Sequence, residues 1–164
     1  MFSFFHIVIF ITYIFNVMNM KIEKMNVKKL VLYIAIPLVL GAIVGFLTST
    51  GTDNYNGIVP GWIFPIVWTI LYILMGISSY LVRDNKQLID IYKLNLFVNL
   101  AWPFIFFTFD FKVLAFFWIL LLIVIVGIMI YGFYKENKKA GYLLIPYILW
   151  LVFAAILNLL QIIQ

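Results

Sequence analysis

GWIFPIVWTILYILMGISSY, Gly61 to Tyr80, decides the fold. It holds no charged residue over twenty positions, yet two Trp, two Tyr, a Phe, a Pro and an internal Gly are distributed along it. About 20 consecutive apolar residues is the length of a membrane-spanning helix. Counting back from Gly76 by four gives Tyr72 and then Trp68, which share one face of such a helix. An aromatic ladder that ends in a glycine gap predicts the wall of a pocket.

Composition extends this reading to the whole chain. Of its 164 residues 66% are apolar and 10% charged, and the mean hydropathy is +1.16, far outside the range of a soluble domain. The chain is read as all-α, an integral membrane bundle of five transmembrane helices whose first partner is the lipid bilayer. There is no cysteine and one histidine, His6, so thiolate chemistry, a His-based metal site and a His-dependent catalytic triad all lack their parts. The net charge of +5 belongs to short loops, which argues for membrane orientation and against nucleic acid.

Residues 1–29 form an N-terminal apolar segment and a basic boundary; residues 30–164 form the five-helix domain. For Phe2–Met18 three accounts stand: an extra helix, a membrane-surface segment, or translated sequence upstream of a start at Met20 or Met25, the last being favoured. Spans are expected at about Leu30–Leu47, Trp62–Val82, Ile91–Phe109, Val113–Tyr134 and Gly141–Ile163. In the first, Gly41 and Gly45 make a small-xxx-small pair, favoured for packing within one subunit and otherwise a seam for a homodimer. In the third, Asn95, Asn99, Trp102 and Phe106 share a face, and amides in hydrocarbon must find partners or a polar cavity. Pro103 should bend that helix. The fourth is apolar all round and is expected to face lipid over much of its circumference. The fifth begins near Pro146 and carries Tyr147, Trp150, Ala154, Asn158 and Gln161 at intervals of three or four.

Ten of the eleven cations lie in the N-terminal boundary (Lys21, Lys24, Lys28, Lys29), the second loop (Arg83, Lys86, Lys93) and the fourth loop (Lys135, Lys138, Lys139), leaving Lys112 alone on the other side. The positive-inside rule places the basic loops in the cytoplasm, and the first loop and C-terminus outside.

The run Gly61–Tyr80, the third-span pattern Tyr92, Asn99, Trp102, Phe106-Phe107, and PYILWLVFAAILN at Pro146–Asn158 resemble the translocator protein family: the TspO/MBR or tryptophan-rich sensory proteins, called peripheral benzodiazepine receptors in animals. The resemblance runs from about Leu30 to the end, with motifs in three spans in the right order. It implies a bacterial cytoplasmic-membrane protein, a five-helix bundle that is usually dimeric, with a pocket lidded by the first loop. Relatives bind tetrapyrroles such as protoporphyrin, sterols in animals, and synthetic isoquinoline or benzodiazepine ligands. No cofactor is required. Some bacterial relatives promote light-dependent porphyrin breakdown through two tryptophans, whose positions correspond to Trp68 and Trp150. Asn99, Trp102 and Tyr147 match pocket-lining positions. The sequence departs from the family in its first loop, where only VPGW (Val59–Trp62) remains of a longer Pro-rich stretch. It also has Asn95 where a Gln is usual, and lacks the basic sterol-recognition segment after the fifth span.

A planar tetrapyrrole needs flat walls, which Trp68, Tyr72, Trp102, Tyr147 and Trp150 supply, and hydrogen-bond donors, which Asn95, Asn99 and Asn158 supply. The bland alternative makes these aromatics core and interface-belt residues; the family motif favours the pocket for Trp68 and Trp150, while Trp62 and Trp118 fit the belt. Asp53, Asp84, Asp90 and Asp110 all lie in or beside loops, so no general acid-base pair is visible. Any chemistry is therefore expected at the Trp pair. The two functional readings are a tetrapyrrole-binding sensor and a transporter of a small hydrophobic ligand. The lack of an internal repeat and the odd number of spans favour the sensor.

Overall fold

The computed structural model describes residues 26–53 and 59–163. The N-terminal apolar segment, with His6, Lys21 and Lys24, lies outside the described residues, as do Asn54, Asn56 and Gly57 of the first loop and the side chain of Asp53. Five helical stretches among the described residues are long and apolar enough to cross a membrane.

The first, α1 (Val27–Leu47), starts where the Asn26 side chain accepts the Lys29 amide hydrogen at 3.1 Å. Asn at this position satisfies one of the four amide hydrogens that a helix start leaves without partners. Only Pro37 of this helix is buried, so α1 is an outer stave, held by one face against α3. A short turn, α2 (Ser49–Asp53), follows, and then α3 (Ile63–Leu81). Its N-terminal half is partly exposed, whereas Gly76–Tyr80 at its other end is buried without a break. Next comes α4 (Lys86–Pro103), which starts five residues before the expected span because Asn85 caps it, accepting from the Leu88 amide at 3.3 Å.

Pro103 does not end this span. It lacks an N–H, so the Asn99 carbonyl has no fourth-residue donor, and the chain continues as a π-helix, Phe104–Thr108. There Phe109 N donates to Phe104 O at 2.9 Å and Phe111 N to Ile105 O at 3.0 Å. Asp110 then closes the turn in the left-handed region at φ 53°, which Asp tolerates better than most residues.

The fourth span, α5 (Lys112–Glu136), buries Ala115, Ile119, Leu122, Val126, Met129 and Phe133. The alternating intervals of four and three make a seam one residue wide, flanked by partly buried residues such as Trp118, Ile123 and Ile130 that pack against the core. The fifth span is broken, unlike the single helix expected: α6 (Lys138–Leu143) and α7 (Ile145–Ile163) are separated at Leu144. Asn137 caps α6 by accepting from Lys139 N at 3.0 Å. Pro146 cannot donate back to Tyr142, so Leu144 N reaches Gly141 O at 3.2 Å and Tyr147 N reaches Leu144 O at 3.1 Å, tightening the junction; proline is then accommodated in the first turn of α7.

The principal contacts run from α1 to α3, α3 to α6, α6 and α7 to α5, α5 to α4, and α4 back to α1. Lipid is as apolar as leucine, so close packing and interhelical hydrogen bonds hold such a ring. Gly76 lets α1 approach α3: a Cβ there would meet Tyr33 O at 2.6 Å and Ile34 Cα at 2.7 Å. Tyr80 Oη accepts the Asn26 amide at 2.8 Å at the same crossing. Ser78 Oγ ties α3 to α6 by donating to Ala140 O at 2.7 Å, and Trp118 Nε1 ties α5 to α4 by donating to Val98 O at 2.8 Å. Trp118, expected at the interface belt, is thus a clamp between helices. The glycine gap at Gly76 is likewise filled by the α1 backbone and does not extend a pocket.

Candidate functional site

Where the second, third and fifth spans meet, their polar residues bond to one another. Tyr72 Oη donates to Asn99 Oδ1 at 2.9 Å; Asn99 Nδ2 donates to Tyr147 Oη at 2.9 Å. Asn95 Nδ2 approaches the same oxygen at 3.4 Å. All four residues are buried. In a medium without water each of these groups would cost several kcal/mol unpaired, so the knot fixes three helices in register.

Aromatic rings stack above the knot. Trp68 lies over Tyr72 with centroids 5.4 Å apart and the rings tilted by 31°, and meets Tyr147 edge-on at 6.1 Å. Trp102 stacks on Phe106 at 5.0 Å and 15° and meets Phe107 edge-on at 5.7 Å. Trp150 meets Phe64 edge-on at 6.0 Å.

These rings border two spaces of very different size. A cavity of about 920 Å³ lies between α1, α3 and the end of α4, bordered by Gly45, Thr48, Pro65, Trp68, Trp102 and Phe107 among others. The second is a void of about 10 Å³ on the inner side, touched by Asn99, Trp150, Ala154 and again by Trp68 and Trp102. It holds about one water at most. Trp68 and Trp102 are therefore the partition between the cavity and the packed interior.

Of the residues expected at the site, Trp68, Tyr72 and Trp102 border the large cavity. Trp150, Asn99 and Ala154 border the small void. Asn95 and Tyr147 belong to the knot, and Phe106 backs Trp102. Asn158 is buried with both ends of its amide lacking a protein partner among the described residues, as are Asn95 Oδ1 and the indole nitrogens of Trp102 and Trp150. Gly41 is covered by the Tyr72 ring, while a Cβ on Gly45 would meet nothing within 4 Å. Both glycines thus lie on the face that α1 turns to α3 and the cavity.

Several lining residues went unread in the sequence. Phe64 extends the four-residue ladder of Trp68, Tyr72 and Gly76 by one step, so its signal was present. Phe107 stood in the family motif but had no signal in the helical period: an ordinary helix would carry it away from Trp102, and the wider π-turn brings it round. The first loop begins over the site. Thr48 and Ser49 border the cavity, and the short α2 packs on the π-turn, where Gly51 approaches the Phe107 backbone too closely for any side chain.

The comparisons agree with this architecture. The TspO/MBR family model matches residues 33–163. The chain is 33% identical over 152 residues to a tryptophan-rich protein TspO of Chlorobaculum tepidum, covering 82% of this chain and 95% of that relative. It is 33% identical over 135 residues to the translocator protein of Homo sapiens, covering 73% and 80% of the two. With a tryptophan-rich sensory protein of Cereibacter sphaeroides it shares 29% identity over 102 residues, covering 60% and 65%. The match spans all five membrane helices, and the chain belongs to the TspO/MBR family.

Proposed function

We propose that this protein binds a flat, largely apolar ring of the tetrapyrrole class in the cavity between α1, α3 and the end of α4, and works as a membrane sensor of that ligand. The carrying observation is the cavity of about 920 Å³ walled by the indoles of Trp68 and Trp102. Its volume lies within the roughly 300–1,000 Å³ typical of pockets for ligands of this size, and indole faces suit a planar conjugated ring. The Trp102 indole nitrogen is buried without a protein partner among the described residues. Relatives carry the names sensory protein and translocator protein. Sensing is favoured over passage here because the Tyr72–Asn99–Tyr147 knot and the close crossing at Gly76 close the bundle beneath the cavity.

The basic loops are assigned to the cytoplasm, which puts the cavity mouth, beside Thr48 and Trp62, at the outer face. A bound porphyrin supplies light absorption; the chain supplies an oxidisable indole, Trp68, at the wall, with Trp150 one layer behind. Titrating the purified protein with protoporphyrin in the dark should give saturable quenching of tryptophan emission. Absence of saturation would refute the binding reading. Under illumination, Trp68→Phe should slow loss of the bound porphyrin more than Trp150→Phe does, and equal rates in both variants and the parent would remove the photochemical role.

A further inference from the structure

We infer that the joined ends of α5 and α6 hold an anionic phospholipid, with the Lys135 ammonium on its phosphate. This site lies at the end of the bundle away from the cavity mouth and does not depend on the proposed function. Lys135 Nζ stands 4.4 Å from the centroid of the Tyr131 ring, one helical turn toward the bilayer. A lysine at the end of a membrane helix ordinarily extends outward into water. This one lies back along the helix, over a ring that is 62% exposed.

No carboxylate answers that charge. Among the described residues Lys135, Lys138 and Lys139 form no ion pair, whereas Arg83, Lys93 and Lys112 each have one. Glu136, the one acid of the loop, accepts from Asn85 Nδ2 at 2.9 Å instead. Arg83 also covers a tyrosine, its guanidinium carbon 4.3 Å from the Tyr80 ring centroid. There, however, the ring is buried, and the guanidinium donates to Tyr80 O and lies beside Asp84. Packing adds further cations next to Lys135. Gly141 draws α6 against α5, since a Cβ there would meet Tyr134 Cβ at 2.6 Å and Cα at 2.8 Å, and the Tyr134 and Tyr142 rings meet edge-on at 5.5 Å across the junction. Lys135–Lys139 thus sets three cations against one acid, with three exposed tyrosines beside them. Aromatic rings and lysines so arranged suit the headgroup layer, and the charge count assigns this end to the cytoplasmic leaflet, where anionic lipids lie.

The test uses the absence of cysteine. A single bimane-labelled cysteine replaces Ile128, exposed on α5 at acyl-chain depth below Lys135, or Phe117, exposed toward the other end of α5. The full chain is placed in phosphatidylcholine nanodiscs containing either phosphatidylglycerol or phosphatidylcholine brominated on its chains. Brominated phosphatidylglycerol should half-quench the label at 128 at about fivefold lower mole fraction than brominated phosphatidylcholine, the worth of one lysine at an anionic surface, while at 117 the two lipids should quench alike. Lys135→Gln, a change at an exposed side chain whose folding circular dichroism checks, should remove most of the gap at 128, and Lys112→Gln should leave it. Equal quenching by both lipids at 128, the same gap at 117, or a gap undiminished in folded Lys135→Gln overturns the assignment. Loss of the gap on adding millimolar inorganic phosphate at constant ionic strength would identify a soluble anion as the occupant and overturn the lipid.

Discussion

Asn99 is the residue on which three spans meet, since its amide accepts from Tyr72 of α3 and donates to Tyr147 of α7. Asn99→Leu should leave the Tyr72 phenol unpaired and Tyr147 with only the 3.4 Å contact from Asn95, lowering stability by about 1–3 kcal/mol, whereas Tyr72→Phe, which removes one bond, should cost nearer the membrane average of about 0.6 kcal/mol. Thermal unfolding in detergent orders the two, and equal losses would mean the knot is not shared. Gly76→Ala should be worse than either single bond, because its methyl enters the Tyr33–Ile34 backbone. Gly127→Ala meets open space and should be neutral or stabilising by up to about 1 kcal/mol. The shared faces of Trp68 and Tyr72, and of Asn95, Asn99 and Trp102, were legible in the sequence because helical period alone sets them. The role of Gly76 was not, since a gap on one helix does not say whether a ligand or another backbone fills it.

At the scale of the element, Pro103 turns α4 into a π-helix at the level of the cavity. That widened turn brings Phe107 to the cavity wall, while Phe106 stays stacked on Trp102. Pro103→Ala restores the missing N–H, so the segment should relax toward a regular α-helix with stability kept or raised. Ligand affinity should fall as Phe107 rotates away. Protoporphyrin titration beside a melting curve checks this; weakened affinity together with lost stability would instead indicate general damage. The prolines were visible in the sequence, and so was the disturbance they cause. Its form was not, because a missing hydrogen bond can be absorbed by a kink, by a π-turn as at Pro103, or by a break as at Leu144, and neighbouring helices decide which.

Over the whole molecule, period and charge made the five spans legible, along with an asymmetry of ten cations to one. They do not contain the order of helices around the ring. Three patterned faces were expected to surround one pocket; they converge instead on a filled knot, and the open space lies to one side, against the sparsely buried α1. Because the chain has no cysteine, the assigned orientation is checked by single cysteines in place of Ser49 and Lys138. An impermeant maleimide added to intact cells should label the first and spare the second, and the reverse pattern would invert the topology. The central claim, that ligand occupies the cavity beside α1, is tested by placing the same bulk at two glycines that both face open space. Gly45→Phe fills the cavity wall, and Gly127→Phe lies on α5 away from it. The account predicts that saturable quenching by protoporphyrin is lost in Gly45→Phe and kept in Gly127→Phe, with both proteins folded. Undiminished binding in folded Gly45→Phe would contradict it.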